Sequence, residues 1–387
     1  MGGGGAASVD PTAGTGSGDT TAGGSGGSNS ALGGSSNTTG GASPSGGAPP
    51  ADGGANASGG TVAIGGAAGA APSGGAGGAA EACPKPAGQI CHEFFASDNS
   101  RHEVHYVNEF NPSKNWTVTA GDTGQNSPRG LQLVDNKAAK TGKAVLVSID
   151  KGFVEFDVVG GAQLLRVGTF GSVTSALRIP SDNTTSLPPG TTVLARDLNP
   201  TELDFVGPAG TLVVPAVKMP FAAAGSELRK LERNPTNGHF SFTKYESANT
   251  AYIYEVTEQG TMVSKIPLPP GGKGYNAVWR ENGSIVATTG SLASVVTLDA
   301  KGGQLASVGG AGKLKDSTGA AIYTDFFSGF YPLPNGNVVA ANWLGHVNPS
   351  SHPTTPELLE ITPANQVVWS WGNQSIATWV TYGYIIR

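Results

Sequence analysis

The sequence predicts an all-β fold, a six-bladed β-propeller with four-stranded blades, preceded by a long disordered tether. The first observation is a repeat: a short apolar strand, a turn and a second apolar strand occur six times. The centres of these outer hairpins are Glu109, Glu155, Asp204, Glu255, Thr297 and Glu360. Successive centres lie 46, 49, 51, 42 and 63 residues apart. A period of roughly 40–50 residues with several short strands per unit is typical of propeller blades.

The second observation is an inner hairpin that precedes five of the six outer hairpins. Its clearest copy is Leu333–Ala340, which turns at Asn335-Gly336. Asn-Gly supplies the positive φ that a tight strand reversal requires. Related inner hairpins occupy 131–147, 189–194, 233–240 and 278–286. Each complete unit therefore contains four strands.

The third observation concerns the two ends of the repeat region. The first outer hairpin, Val104–Val118, has no inner partner before it, and the chain ends in an apolar strand, Trp379–Ile386. We expect this last strand to dock beside the first hairpin and complete a sixth blade. Closure would remove two exposed sheet edges, which are sites of aggregation. An array of β-sandwiches is the alternative, but it gives no reason for the unpaired C-terminal strand.

Residues 1–82 differ in composition from the rest of the chain. They contain no Lys, Arg or aromatic residue, and Gly, Ala, Ser, Thr and Pro make up nearly all of the segment. Such a chain cannot bury enough apolar surface to offset the entropy lost on ordering. We expect a disordered tether at 1–82 with a span of roughly 50 Å, a disulfide-bearing lead-in at 83–101 and the propeller at 102–387.

Two cysteines, Cys83 and Cys91, lie where the tether meets the folded region. We expect a disulfide between them, which suits an oxidising compartment; a pair of free thiols is the alternative. The sequence has no apolar signal segment and no apolar run long enough to span a membrane. Its tether resembles those that follow the lipid-modified cysteine of bacterial surface lipoproteins, with Met1 in the place of that cysteine. We therefore expect an exported protein at the cell surface or in the periplasm, whose only link to the membrane is a lost N-terminal anchor; a cytosolic protein with a low-complexity start is the alternative.

Composition limits the possible partners. The tether carries four of the 28 acidic residues, so the propeller is close to neutral, with 24 acidic residues against 23 Lys and Arg. Without a basic run, nucleic acid is not an expected partner. His92 and His102 lie near the cysteines, but no second pair of ligands follows at metal-site spacing, so we expect no metal. We expect a monomer, and the only candidate helix is Ser226–Glu232.

One stretch carries a resemblance to a known family. Phe330–Asn337, Asn342–His346 and Glu357–Trp371 together resemble a blade of the PQQ-like and arylsulfotransferase-like bacterial propellers. The resemblance implies a propeller fold. Bacterial arylsulfotransferases are similar in using a histidine nucleophile in a central funnel, whereas quinone-binding members repeat tryptophan motifs in most blades. Only Trp116, Trp369 and Trp371 occupy comparable places here, so we expect no cofactor.

His346 is the candidate catalytic residue. It follows a predicted strand in a segment with Asn342 and Trp343, and the long connection after it ends at Glu357. Loops at one end of a rigid scaffold often carry function. A histidine there could act as a general base or nucleophile, with Asn342 as an amide donor and Trp343 as a stacking surface. The alternative is that His346 caps a strand or bonds a loop carbonyl.

Other distinctive side chains lie near the starts of the predicted inner strands. They are Arg129, Tyr275, Asn276, Ser328 and Trp379. If the inner strands start at one face, these residues surround one mouth of the central channel. Aromatic rings with Asn, Ser and Arg would suit a sugar or an aromatic anion; packing between blades is the alternative.

Two functions follow from these observations. The first is a non-catalytic binding module for a small molecule or glycan at the funnel mouth, or for a protein partner. The second is an arylsulfotransferase-like or lyase-type enzyme with a funnel site that uses His346.

Overall fold

A computed structural model describes residues 81–121, 127–180, 186–219, 228–247, 250–347, 351–373 and 375–387. The expected disordered tether, apart from its last two residues, lies outside the described residues. None of the helical segments described here is long and apolar enough to reach across a bilayer.

The described chain forms six antiparallel sheets of four strands, and each sheet is one blade. Blade 1 contains β1 (Glu93–Asp98), β2 (Glu103–Asn108), β3 (Trp116–Thr119) and the last strand, β24 (Val380–Ile385); blade 2 contains β4 (Leu131–Asp135), β5 (Lys143–Ile149), β6 (Gly152–Asp157) and β7 (Gln163–Val167). Blade 3 contains β8 (Val173–Arg178), β9 (Thr192–Arg196), β10 (Thr201–Val206) and β11 (Val217–Met219); blade 4 contains β12 (Leu228–Arg233), β13 (Phe240–Ser247), β14 (Thr250–Val256) and β15 (Met262–Pro267). Blade 5 contains β16 (Ala277–Trp279), β17 (Ile285–Thr288), β18 (Ser294–Leu298) and β19 (Gln304–Gly309); blade 6 contains β20 (Phe326–Pro332), β21 (Val338–Trp343), β22 (Leu358–Ile361) and β23 (Val367–Trp371). The predicted six-bladed propeller is confirmed.

The termini close blade 1 in a different strand order from the expected one. The C-terminal strand β24 pairs with β1, with Phe94 opposite Ile385 and Ala96 opposite Gly383. Strand β1 then pairs with β2, so the last strand does not touch the Val104–Val118 hairpin directly. Strand β1 lies inside the expected lead-in, where no strand was predicted. Closure by both termini is confirmed, with β24 as the innermost strand.

The apolar core divides into six clusters, and each cluster lies between two neighbouring blades. One joins blades 6 and 1 through Phe94 and Trp369, and another joins blades 1 and 2 through Phe95 and Val147. The remaining four join blades 2 and 3, 3 and 4, 4 and 5, and 5 and 6. Because every blade packs against two others, burial of apolar surface stabilises the ring as a whole.

The repeated carboxylates join the inner and outer hairpins of a blade. Glu255 accepts hydrogen bonds from the side-chain amides of Asn234 and Asn237, both at 2.9 Å. Glu360 accepts hydrogen bonds in the same way from Asn335 and Asn337. These asparagines stand in the turns of the inner hairpins, and the glutamates stand on the third strand of each blade. The recurring Asn and Glu positions therefore have a structural role, because they satisfy buried polar groups.

The lead-in is fixed to the base of blades 1 and 6. Cys83 and Cys91 form the expected disulfide. Beside it, the buried His92 ring lies 2.7 Å from Glu360 and contacts the edge of the Trp369 ring. Glu109 also accepts hydrogen bonds from Lys85 and from the Trp369 indole. The join between the chain ends is thus supported by a covalent bond and buried polar contacts.

The candidate helix Ser226–Glu232 is wrong where the structure describes it. Leu228–Arg233 is strand β12, the inner strand of blade 4. Its alternation of buried Leu228 and Leu231 with charged residues is irregular because the pairing with β13 shifts register between these two positions. This irregularity hides the period of two that identifies a strand.

Gly329 marks a close approach between β20 and β24, and its substitution should destabilise the ring. A Cβ at this position would lie 2.3 Å from the Tyr382 ring and 2.9 Å from the Thr381 carbonyl oxygen. We expect Gly329→Ala to lower the free energy of unfolding by about 1–3 kcal/mol through overpacking. Denaturant unfolding of the variant measures this change. Gly168→Ala is the matched control, because a Cβ there meets no atom within 4 Å; equal losses in both variants would contradict the prediction.

Candidate functional site at the mouth of the channel

The six inner strands begin at one face of the propeller. In an antiparallel four-stranded blade, the start of the innermost strand and the connection between its second and third strands lie at the same edge. This face, here called the mouth face, therefore carries the residues just before β4, β8, β12, β16, β20 and β24. It also carries the turns that contain Asp150, Asp197 and His346.

A cavity of about 520 Å³ opens on the mouth face between blades 2, 3 and 4. Its lining residues are Arg129, Asp150, Ser172, Val173, Thr174, Asp197, Leu228 and Arg229. Arg129, predicted from the sequence, pairs with Asp150 at 3.0 Å. The cavity thus combines two guanidinium groups and two carboxylates with a few hydroxyl and apolar groups.

One wall of the cavity is stiffened by aromatic rings. The Arg229 guanidinium lies 5.1 Å from the centre of the Tyr275 ring and 5.6 Å from that of Tyr245. A cation over an aromatic face is attracted by the ring quadrupole. Burial raises the pKa of the Tyr245 hydroxyl, and the nearby Arg229 opposes the rise. Tyr275 is buried, so it supports the cavity from behind.

A buried lysine supports Asp197, another residue of the cavity lining. The Lys244 ammonium is 3.4 Å from Asp197 and 3.4 Å from the Thr201 hydroxyl. Burial lowers the pKa of Lys244, and Asp197 opposes that change. The Asp197 carboxylate, which is about one-fifth exposed, is therefore held toward the cavity by a cation behind it.

A buried lysine brings the inner strands β12 and β24 into contact. Lys230 pairs with Glu232, and its ammonium lies 3.8 Å from the centre of the Tyr382 ring. Burial disfavours the Lys230 ammonium, but Glu232 and Tyr382 outweigh it and raise its pKa. Lys230 therefore remains a cation inside the ring.

His346 belongs to a second cluster on the mouth face, on blade 6. Its Nδ1 is 3.4 Å from Asp325 Oδ2, and its backbone N–H donates to the same oxygen at 3.3 Å. The imidazole contacts the edges of the Trp343 and Phe326 rings, with centroid distances of 4.7 and 5.2 Å. About half of the His346 side chain is exposed. Trp343 in turn contacts Trp379, so three of the predicted residues lie together.

Asn342 holds the two segments that carry this cluster. Its amide nitrogen donates to the carbonyl oxygens of Tyr323 and Pro356, and its oxygen accepts from the backbone N–H of Asp325. Because Asn342 is fully buried, it lies beneath the mouth rather than on it.

The remaining predicted residues are also buried. Ser328 lies close to the carbonyl oxygens of Ala341 and Val380, at 3.4 and 3.3 Å, and so joins blades 6 and 1. Asn276 is fully buried, and its backbone N–H donates to Thr288. The predicted residues thus fall into three groups, at the cavity, around His346 and inside the fold.

Glu357 is a buried carboxyl group directly beneath the same face. It is fully buried, and one of its oxygens accepts a hydrogen bond from the Val380 N–H at 3.2 Å. Burial raises the pKa of Glu357 to about 9; the Asp98 carboxylate adds to the rise, whereas Arg101 opposes it. Glu357 is therefore protonated at neutral pH.

Four charged residues of the two clusters were not anticipated from the sequence: Asp150, Asp197, Arg229 and Asp325. Each lies in a turn or at the first residues of an inner strand, where no repeat or motif distinguishes it. Within the described ranges, no group of three or more His, Cys, Asp and Glu side chains could hold a metal ion.

Comparison with known proteins supports the fold. No family model and no curated protein matches the sequence. A solved structure of a protein of unknown function from Bacteroides caccae is 17% identical, covers 77% of this chain and all of its own, and has a TM-score of 0.59. A periplasmic gluconolactonase of Pseudomonas aeruginosa is 10% identical, with 77% and 99% of the chains covered and a TM-score of 0.43. A catalytically inactive virginiamycin B lyase of Staphylococcus aureus with quinupristin is 12% identical, with 65% and 72% covered and a TM-score of 0.39.

These neighbours are β-propellers, and at such identities the likeness concerns the fold alone. The closer resemblance to PQQ-like and arylsulfotransferase-like propellers stays a prediction.

Proposed function

We propose that this protein is an exported, tethered propeller that binds a small polar ligand in the cavity on its mouth face. The ligand class that we propose is a sugar residue of a glycan. The observation that carries the proposal is the cavity of about 520 Å³ with its charged lining. That volume lies within the range of small-molecule sites in proteins.

The lining suits a molecule with several hydroxyl groups. Arg129 offers donors beside the acceptor Asp150, and Asp197 offers a second acceptor in the lining of the cavity. Sugars present adjacent hydroxyl groups that both donate and accept, so paired donors and acceptors recognise them. The supported Arg129, Asp197 and Arg229 side chains lose little freedom on binding, which favours affinity.

The location in this proposal rests on the disulfide and on the tether. The Cys83–Cys91 bond is of the kind that persists in oxidising compartments. Residues 1–82 have the Gly-, Ala-, Ser- and Thr-rich composition of a spacer, which would let the propeller reach ligands well beyond the surface that anchors it. In this proposal the protein acts as a monomer, and a protein partner is the alternative occupant of the mouth face.

Arg129→Gln tests the binding site. We expect neutral hexoses, N-acetylhexosamines or uronic acids at about 10 mM to raise the melting temperature of the parent protein, because a ligand that binds only the folded state stabilises it. Loss of a charged hydrogen bond of about 1.5–3 kcal/mol should weaken the binding of the responsive sugar roughly 10- to 150-fold. Titration calorimetry with that sugar measures the change.

Two controls locate the effect. Arg166→Gln changes an arginine on the outer strand β7 that bonds the Ala120 carbonyl and does not line the cavity, so it should leave affinity unchanged. His346→Gln should also leave sugar affinity unchanged. Equal affinity in Arg129→Gln and the parent, or no response to any sugar, would reject the proposal.

A further inference from the structure

We propose that Asp325 and His346 form a second functional site, a general-base pair that activates water for the hydrolysis of an ester of an aromatic or apolar alcohol. This site is separate from the binding cavity, because none of its residues lines that cavity. The inference goes beyond the proposed binding function and does not depend on it.

The orientation of the imidazole is the first argument. Asp325 Oδ2 accepts a hydrogen bond from the backbone N–H of His346. The Nδ1 atom of the same histidine lies 3.4 Å from this oxygen. A carboxylate beside Nδ1 favours the tautomer that carries its proton there, which leaves the lone pair on Nε2. Because about half of the side chain is exposed, Nε2 can meet water and substrate.

The support of the carboxylate is the second argument. Asp325 directly precedes the inner strand β20, and its backbone N–H is held by the fully buried Asn342. Asn342 also binds the Pro356 carbonyl, at the end of the connection that carries His346. One buried amide thus fixes both segments, and Asn342 is a positioning residue of the pair. Catalytic groups need such support to keep their geometry.

The comparison with the other histidines is the third argument. The rings of His92 and His105 are buried, and His239 faces a glutamate already bonded to Asn234 and Asn237. His102 lies 3.5 Å from the Ser127 hydroxyl, and His352 stacks on the Tyr323 ring. Among the described residues, His346 therefore combines an exposed ring with a neighbouring carboxylate, Asp325, that accepts no hydrogen bond from the amides of Asn234 and Asn237. This combination is what a general base requires.

The surroundings indicate the kind of substrate. The edges of Trp343 and Phe326 contact the imidazole, and the partly buried Trp379 adjoins Trp343. Nearby, the exposed Tyr323 ring stacks on His352 at 3.8 Å. Aromatic walls favour an aromatic or apolar group on the substrate.

The reaction step is balanced by water alone. His346 Nε2 takes a proton from water while the water oxygen bonds to the ester carbonyl carbon. The bond between that carbon and the alcohol oxygen then breaks, and the imidazolium returns the proton to the leaving oxygen. The products are a carboxylic acid and an alcohol, and Asp325 stabilises the imidazolium without taking the proton.

Hydrolysis of 4-nitrophenyl acetate by the purified protein is the test. We expect turnover above the buffer rate, and loss of at least 100-fold of kcat/KM in His346→Gln, as is typical for removal of a general base. Asp325→Asn should lower kcat with little change in KM, because it alters the transition state more than substrate binding. No burst of nitrophenol should precede steady turnover, since a general base forms no covalent acyl intermediate.

The control is His102→Asn, which removes another partly exposed histidine of the mouth face; its φ of 57° suits asparagine. It should hydrolyse the ester at the parent rate. Melting temperatures of all three variants show whether each is folded. Two results would overturn the proposal: turnover equal to the buffer rate in the parent protein, or turnover at the parent rate in a folded His346→Gln variant. A burst of nitrophenol would also overturn it, because a burst would show that a nucleophile and not a general base acts at this site.

Discussion

Deletion of Tyr382–Arg387 should abolish the soluble folded protein. The deletion removes most of β24, the innermost strand of blade 1, and leaves the inner edge of β1 without a partner. Phe94 and Phe95, both fully buried, would lose a covering strand, and each buried phenylalanine contributes about 1.5–3 kcal/mol. Lys230 would also lose the Tyr382 ring that covers it. These losses together are of the order of the whole stability of a domain, about 5–15 kcal/mol.

Soluble yield, circular dichroism and gel filtration measure the result. A synthetic peptide that spans Thr378–Arg387 provides the positive control, since it can restore the missing strand by pairing with β1. Deletion of Arg387 alone leaves β24 intact and should allow folding. A truncated protein that melts within about a degree or two of the parent would refute closure by the C-terminal strand.

Glu357→Gln should stabilise the protein at alkaline pH and change how its stability depends on pH. Because the pKa of Glu357 is raised to about 9 from an ordinary value of 4.5, the folded state keeps a proton that the unfolded state loses between these values. The free energy of unfolding therefore falls as pH rises through this window, by about 1.4 kcal/mol per pH unit from this group. Glutamine has the shape of the neutral acid and no proton to lose. We expect a gain of about 2–4 kcal/mol at pH 8 and no gain near pH 4.5.

Urea unfolding at several pH values measures this difference. Glu281→Gln, in the exposed turn before β17, is the matched control, and its stability curve should run parallel to that of the parent. The difference in free energy of unfolding between variant and parent removes the contributions of the other titrating groups, because both proteins share them. If the free energy of unfolding of Glu357→Gln ran parallel to that of the parent at all pH values, Glu357 would not carry a proton in the folded protein.

The repeat predicted the architecture because it has a physical cause in every blade. In five blades, the residue predicted as the centre of the outer hairpin lies on the third strand. Glu155, Glu255 and Glu360 are three of these residues. The Asn-Gly turns and the glutamates that bond them recur for the same reason. Strand β1 was overlooked because it belongs to no repeat: its partner β24 lies at the other end of the chain, and local patterns carry no information about that pairing.

The candidate site was predictable only in part. His346, Trp343 and Arg129 were found because unusual side chains near strand ends are visible in the sequence. Asp325 and Asp197 were missed because a single aspartate in a turn is common, and only the tertiary fold places it beside a histidine or a lysine. Ser328 and Asn342 lie near strand ends as well, yet the structure uses them inside the blade contacts.

The position of β24 has a consequence for the order in which the protein is made. Strand β1 is synthesised before the strands of blades 2 to 6, and β24, which covers its inner edge, comes after them. At about 5–20 residues per second, the ribosome needs on the order of tens of seconds to pass from one to the other. Throughout that time the inner edge of β1, with its apolar residues Phe94 and Phe95, has no strand partner. The Gly-rich residues before it contain no aromatic side chain that could cover it. Ring closure therefore cannot occur before β24 has been synthesised, and until then the nascent chain has to be protected from pairing with its neighbours.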